Sequence, residues 1–202
     1  ALVVILTIVL AAGPGLAVAE TRAGSTVTVG PDESVDGLDV AAATVVVHGT
    51  VNGDLSGAAA DVRISDSGTV TGDVNVAAAS LTIDGDVQGS VSAGVATFRL
   101  GDTGVVGGSV NVGAADATFA GQVDGDVTVG ADRIVVADSA VLAGSLRYDG
   151  DLTQRSGASV AGDVVRDDSI GQTNFEFSPI PDGVGAAYGL LAHLALGAVL
   201  LL

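Results

Sequence analysis

From Val35 to Val164 apolar and polar residues alternate around a recurring glycine in the pattern apolar-x-Gly-x-apolar, whose last position fails only in the first copy. The glycine stands at Gly37, Gly53, Gly72, Gly89, Gly108, Gly125, Gly144 and Gly162, at spacings of 16, 19, 17, 19, 17, 19 and 18 residues. Two residues before it come Val35, Val51, Val70, Val87, Val106, Val123, Leu142 and Val160. Two residues after it, from the second repeat onward, come Leu55, Val74, Val91, Val110, Val127, Leu146 and Val164. Valine-rich alternation at period two predicts a strand with one buried face.

Nine and eleven residues after the glycine stand the pairs Val62 and Ile64, Leu81 and Ile83, Phe98 and Leu100, Ala117 and Phe119, and Ile134 and Val136. They predict a second short strand in each repeat. Between the two strands lie small residues such as Ala58 to Ala60, Ala77 to Ala79 and Ala114 to Ala115, which suit a tight bend. The linkers from the second pair to the next repeat alternate between five residues (Ser65 to Thr69, Gly101 to Val105, Ala137 to Val141) and three (Asp84 to Asp86, Ala120 to Gln122). All the length variation therefore falls at one corner while the apolar positions keep register.

A unit of about 18 residues with two or three short strands has too little surface to bury its own apolar face, whereas stacked units build a continuous interior. The pattern predicts an all-β parallel β-helix solenoid of about eight coils of 17–19 residues. At about 4.8 Å per coil such a rod is about 35 to 40 Å long. Gly37, Gly53, Gly72, Gly89, Gly108, Gly125, Gly144 and Gly162 then form a column where backbone approaches backbone. A larger residue at Gly89 or Gly125 is expected to cost more than one at a turn glycine such as Gly104.

The ends of the chain differ from its middle. Ala1 to Ala12 is an apolar run, followed by Gly13-Pro14-Gly15 and then by Ala17-Val18-Ala19 before Glu20. This looks like the later part of a secretory signal, the alternative being an N-terminal membrane anchor that is not cut. Val184 to Leu202 is a 19-residue stretch with no formal charge, long enough to cross a bilayer as a transmembrane α-helix. Within it Gly185, Gly189, His193 and Gly197 recur every four residues, a stripe along which another helix can approach, although glycine is frequent throughout this chain. His193 invites a proton or ligand role, against the simpler reading of a neutral histidine bonded to a neighbouring helix. The organisation predicted is a signal or membrane segment at 1–19, a lead-in at 20–34, the β-helix at 35–166, a linker at 167–183 and a membrane helix at 184–202. The linker carries Pro179, Pro181, Phe175 and Phe177, and reads either as an interfacial segment or as a cap over the last coil.

The chain has 202 residues and a formal charge of −17, with 30 glycines, 3% aromatics and no cysteine. Its only glutamates are Glu20, Glu33 and Glu176; all seven basic residues are arginine. Such a surface repels nucleic acid and suits strong salt, where the Debye length falls to about 3 Å at 1 M. Without cysteine there are neither disulfides nor thiolate chemistry.

The recurring string Gly-x-Val-x-Gly-Asp-Val/Leu, at Gly49 to Leu55, Gly68 to Val74 and Gly121 to Val127, resembles the bactofilins, described as polymer-forming cytoskeletal proteins. The resemblance covers about 35–166. It implies a right-handed β-helix of roughly triangular section that polymerises end to end without nucleotide, as a membrane-associated scaffold. The apolar segments at both ends depart from the usual pattern of that family, and a cleaved signal would leave the rod on the extracytoplasmic side of a membrane, which is the location expected.

Candidate chemistry inside the repeat is sparse. After the column glycine come Asp54, Asp73, Ser90, Ser109, Asp126, Ser145 and Asp163, either a calcium ladder or a solvent-facing turn position; the serine interruptions and the missing calcium nonapeptide favour the latter. Spacings of 17 and 19 are not multiples of six, which argues against hexapeptide-repeat acyltransferases. His48, the one histidine in the repeat region, has no recognisable catalytic partner. Arg63, Arg99 and Arg133 are expected to face outward and neutralise local acid. The expectation is therefore a non-enzymatic scaffold with no cofactor and no metal, whose partners are itself and a membrane, with no nucleic acid and no small-molecule substrate. The competing reading is a non-polymerising exported rod that binds an envelope partner.

Overall fold

The computed structural model describes residues 19–170. The expected signal, the Phe175/Phe177 linker and the Gly185, Gly189, His193, Gly197 stripe lie outside the described residues. Among those described, no helix is long and apolar enough to cross a membrane.

Seventeen strands follow in chain order: β1 (Glu20–Val29), β2 (Ser34–Val35), β3 (Leu38–Val47), β4 (Thr50–Val51), β5 (Leu55–Ile64), β6 (Thr69–Val70), β7 (Val74–Ile83), β8 (Asp86–Val87), β9 (Val91–Leu100), β10 (Val105–Val106), β11 (Val110–Phe119), β12 (Gln122–Val123), β13 (Val127–Val136), β14 (Val141–Leu142), β15 (Leu146–Gln154), β16 (Ser159–Val160) and β17 (Val164–Arg166). Long and short strands alternate. The long ones form a 9-stranded sheet and the short ones an 8-stranded sheet, each in chain order. All neighbours run parallel, so one long strand, one short strand and their turns make one coil of a β-solenoid with about eight turns.

Each long strand covers two sides of the coil. In β5 the inward positions run Leu55, Ala59, Val62 and Ile64, and the step of three from Ala59 to Val62 breaks period two. Pairing skips one residue at the same place: Ala42 faces Ala59 and Thr44 faces Asp61, leaving Ala43 and Ala60 unpaired while the register holds. The same gap at Ala79 and Ala96 makes a column of alanines where the strand turns its corner. Small residues belong there because a bulky side chain on the outside of so sharp a bend has nothing to pack against. The short strand supplies the third side, and the section is three-sided.

Two details differ from the sequence reading. The column glycine is not inside a strand. It sits in the bend between the short strand and the next long one, and Val51 and Leu55, both fully buried, point inward from either side of that corner. The ladder also begins early: β1 pairs with β3 from Glu20↔Leu38 to Val29↔Val47, so the expected lead-in is a coil of the solenoid.

The interior is apolar and mostly aliphatic. Inward Val, Leu and Ile from Val29 to Leu146 stack coil on coil with almost no exposure, and Phe98 and Phe119 are the largest buried side chains. At about 25 cal/mol per Å² of apolar area, this stack is the main term holding the fold.

The corner that absorbs the length variation has a definite construction. In the long turns a backbone bond closes a four-residue turn, from Gly68 N to Ser65 O (2.8 Å), from Gly104 N to Gly101 O (3.1 Å) and from Ala140 N to Ala137 O (3.0 Å). The next, shorter coil passes such a turn with a glycine. A Cβ on Gly85 would strike the carbonyl oxygens of Ser65 and Gly68, and one on Gly121 those of Gly101 and Gly104; Gly49 stands likewise against Gly30 and Glu33. Where a three-residue linker follows a closed turn, the turn leaves room for only a bare Cα beside it; the last two linkers, Ala137 to Ala140 and Arg155 to Ala158, are both closed.

Candidate assembly interface

The glycine column is a line of close backbone approach. A Cβ on Gly125 would lie 2.6 Å from the Gly108 carbonyl carbon, and one on Gly162 would lie 2.7 Å from that of Gly144. Amides bond along the column, Gly72 N to Gly53 O (3.0 Å) and Gly108 N to Gly89 O (2.9 Å) among them. Gly37 and Gly53 have φ of 75° and 122°, in the region that glycine alone enters readily. Gly104, expected to be an open turn position, is itself crowded by the Ile83 carbonyl and by Leu100 Cδ1 (2.8 Å). The expected contrast with Gly89 and Gly125 has no steric basis.

At four coils the residue after the column glycine serves the backbone of the next coil. Asp54 Oδ1 accepts from Asp73 N (2.8 Å), Asp73 Oδ1 from Ser90 N (2.7 Å), Ser90 Oγ from Ser109 N (3.2 Å) and Asp126 Oδ1 from Ser145 N (2.8 Å). A short side chain with an acceptor oxygen is what the position demands, and Asp and Ser both provide it. Among the described residues no group of three or more His, Asp or Glu is placed to hold a metal ion.

His48 lies against a turn rather than a substrate cleft. Ser65 is 4% exposed and its Oγ donates to Val47 O (2.9 Å), so toward His48 Nδ1 (2.9 Å) it can only accept. The imidazole is then the donor, which is the reverse of a serine–base pair. Ser67 Oγ donates to His48 O (2.9 Å) and completes the link between the two coils. Of the arginines, Arg63 pairs with the half-buried Asp84 (2.5 Å) and Arg133 with Asp116 (2.6 Å) in an exposed pair; Arg99 has no ionic partner among the described residues.

What remains is the two ends, and they are built differently. At the C-terminal end β17 covers only Leu146, Arg147 and Tyr148 of β15, leaving the rest of β15 as an unpaired edge among the described residues. Val164 and Val165 are 43% and 45% exposed, and Tyr148, Leu152, Ala158 and Val160 are only partly buried against the core. Arg147 pairs with Asp167 (2.7 Å), whose carboxyl is held below its ordinary value by the Ser169 hydroxyl and by that guanidinium.

At the N-terminal end the first coil carries charges where the others carry aliphatics. Glu20 is in register with Leu38 and Arg22 with Val40, both fully buried. The Arg22 guanidinium bonds Glu20 (3.1 Å), Glu33 (2.5 Å) and the Thr28 carbonyl (3.1 Å), and Glu33 in turn accepts from Gly30 N (2.8 Å). These partners lie on successive sides of the coil, so the side chain spans its mouth. Val27, Val29 and Val35 of the same coil are buried. Burial opposes the charge of Arg22, but the hydrogen bonds to Glu20 and Glu33 outweigh it and hold the guanidinium above its ordinary value. Glu33 is held below its own, by Arg22 first and by the Gly30 amide second. Motif searching passes over this network because no motif describes it. The available signal was the register: one repeat back from Leu38 and Val40 stand a glutamate and an arginine.

Residues 75–165 match the family model described as "Bactofilin: Polymer-forming cytoskeletal". The bactofilin match runs from β7 to β17 and so includes the C-terminal end and five of the column glycines and their partners, Gly89 to Gly162. That family is structural rather than enzymatic, and the β-solenoid fits a polymer-forming scaffold. No curated protein and no solved structure matches the chain.

Proposed function

We propose that this chain is a non-enzymatic rod that assembles end to end with copies of itself beside a membrane, where the apolar segments at its two termini hold it on the extracytoplasmic side. The observation that carries the reading is the last described coil, with Val164 and Val165 exposed and most of the β15 edge unpaired among the described residues, inside the stretch matched by a polymer-forming family. A free parallel edge accepts another strand at the spacing the solenoid already uses, and the apolar side chains beside it supply the driving force. The charge of −17 sets the condition, since like rods repel until salt screens them. The composition supports a protein that works in strong salt.

A second reading is an exported surface rod that does not polymerise and holds an envelope partner along one side. The charged first coil supports it, because burying an ionic network against a second rod is costly. Electron microscopy of the full chain in mild detergent, from low to molar salt, separates the two. Filaments one solenoid wide that appear as salt rises, and that are lost in Leu152→Asp/Val164→Asp, support assembly. Folded single rods at every salt leave the surface-rod reading.

A further inference from the structure

We infer that Arg22, Glu20 and Glu33 form an ionic lid that keeps the N-terminal end of the rod closed to a further copy of this chain, and that opening it sets the salt concentration at which filaments lengthen. The inference rests on the self-assembly reading and adds a gate to one of its two ends.

The register makes the argument. Every coil from the second to the seventh presents leucine or valine at the position of Glu20 and valine, alanine or glycine at that of Arg22, so the solenoid has a well-tested way to stack there and the first coil does not use it. A second copy seated on β1 would have to cover a guanidinium and two carboxylates. Taking such a network out of water is costly unless the incoming end replaces every one of its bonds. The lid also occupies the place where the incoming core residues would sit, because Arg22 reaches the Thr28 carbonyl and Glu33 across the coil. Among the described residues the C-terminal end has no matching network across its coil, and Val164 and Val165 are exposed there. Concentrated salt weakens the ion pairs and screens repulsion between rods together, so the dependence on salt alone does not isolate the lid.

Glu20→Leu/Arg22→Val does isolate it. The double variant removes one negative and one positive charge and leaves the net charge at −17, so repulsion between rods is unchanged. It also continues the Leu38 and Val40 columns. The measurement is the salt midpoint of filament formation by the full chain in detergent, read by light scattering and checked by electron microscopy. The control is Asp116→Asn/Arg133→Thr, which removes an exposed pair from the middle of the rod with the same charge balance. Expected is a midpoint several-fold lower in salt for the lid variant and an unmoved midpoint for the control. Equal midpoints for wild type and lid variant overturn the lid and leave self-assembly standing; so do long wild-type filaments already present at low salt. Folded single rods in every protein at every salt overturn both. If the double variant fails to fold by circular dichroism, Glu33→Gln, which cuts only the link to Arg22 and Gly30, is compared with Asp116→Asn, which removes the same charge; a lower midpoint for Glu33→Gln alone supports the lid, and equal midpoints overturn it.

Discussion

Phe98 and Phe119 pack against each other from consecutive coils, with ring centroids 5.2 Å apart and ring planes inclined at 47°. They are not in register. Phe98 faces Ala117 and Phe119 faces Leu100, so each ring stands beside a different column and the small Ala117 leaves the space into which the rings lean. Ala117→Leu is expected to overpack this layer and destabilise by about 1–3 kcal/mol, while Phe119→Ala opens a cavity and costs about 3–5 kcal/mol. Guanidinium unfolding followed by circular dichroism reads both. An unchanged midpoint for Ala117→Leu would show that the layer has slack this packing lacks.

Gly85 and Gly94 make a sharper pair. A Cβ on Gly85 collides with two backbone carbonyls of the neighbouring turn, whereas one on Gly94 meets nothing within 4 Å and needs no unusual φ. Gly94→Ala is expected to be neutral or to stabilise by about 0.4–1 kcal/mol, through the reduced entropy of the unfolded chain. Gly85→Ala should lower the thermal midpoint clearly, because backbone on both sides has to move. Equal effects of the two substitutions would contradict the account of how a three-residue linker passes a closed turn.

The solenoid was legible in the sequence because its signal is carried by spacing. Once the glycines are aligned, Val62 and Ile64 or Leu81 and Ile83 fall in register with no further assumption, and the structure pairs them so. The corners were harder to read. Val51 and Leu55 look like one alternating strand because both point inward, yet a bend separates them, and period two is preserved across it by coincidence of geometry. Gly49, Gly85 and Gly121 recur at a double period of 36 residues, and their role emerges only when each is set against the turn of the preceding coil. Glu20 and Arg22 were hidden for a related reason: Gly37 stands one residue before Leu38 where Gly53 stands two before Leu55, and no glycine stands at the matching place before Glu20, so a count made from the glycines stops at the second coil.

The Asp/Ser ladder predicts a graded response at Asp73. Its Oδ1 takes the Ser90 amide at 2.7 Å, and Ser90 takes the Ser109 amide through Oγ in the next step. Asp73→Ser therefore keeps an acceptor and should change stability little. Asp73→Ala leaves the amide to water and should cost about 0.5–1.5 kcal/mol, the usual net worth of one such bond. Amide exchange at Ser90 is the direct check: faster in the alanine variant, close to wild type in the serine variant. If the two variants exchange alike, the side chain at this position does not serve the backbone.

Acid should loosen the N-terminal coil through Glu33. The folded-state pKa of this carboxyl is depressed, by Arg22 and by the Gly30 amide. Its contribution is therefore fully present above the ordinary glutamate value of about 4.3 and is lost as pH falls through the lower folded value. Above that range the coil should show no pH dependence from this group. Exchange of the Gly30 amide, which donates to Glu33 Oε2 at 2.8 Å, reports the event locally. Because intrinsic exchange also varies with pH, the reference is Glu33→Gln measured at each pH. The wild type should be better protected than the variant from neutral pH down to the glutamate range and converge on it below, since protonating Glu33 and replacing it with glutamine remove the same charge facing Arg22. Protection that stays above the variant at the lowest pH would mean that the Arg22 link survives without the carboxylate charge, and that the closure of this end is steric rather than ionic.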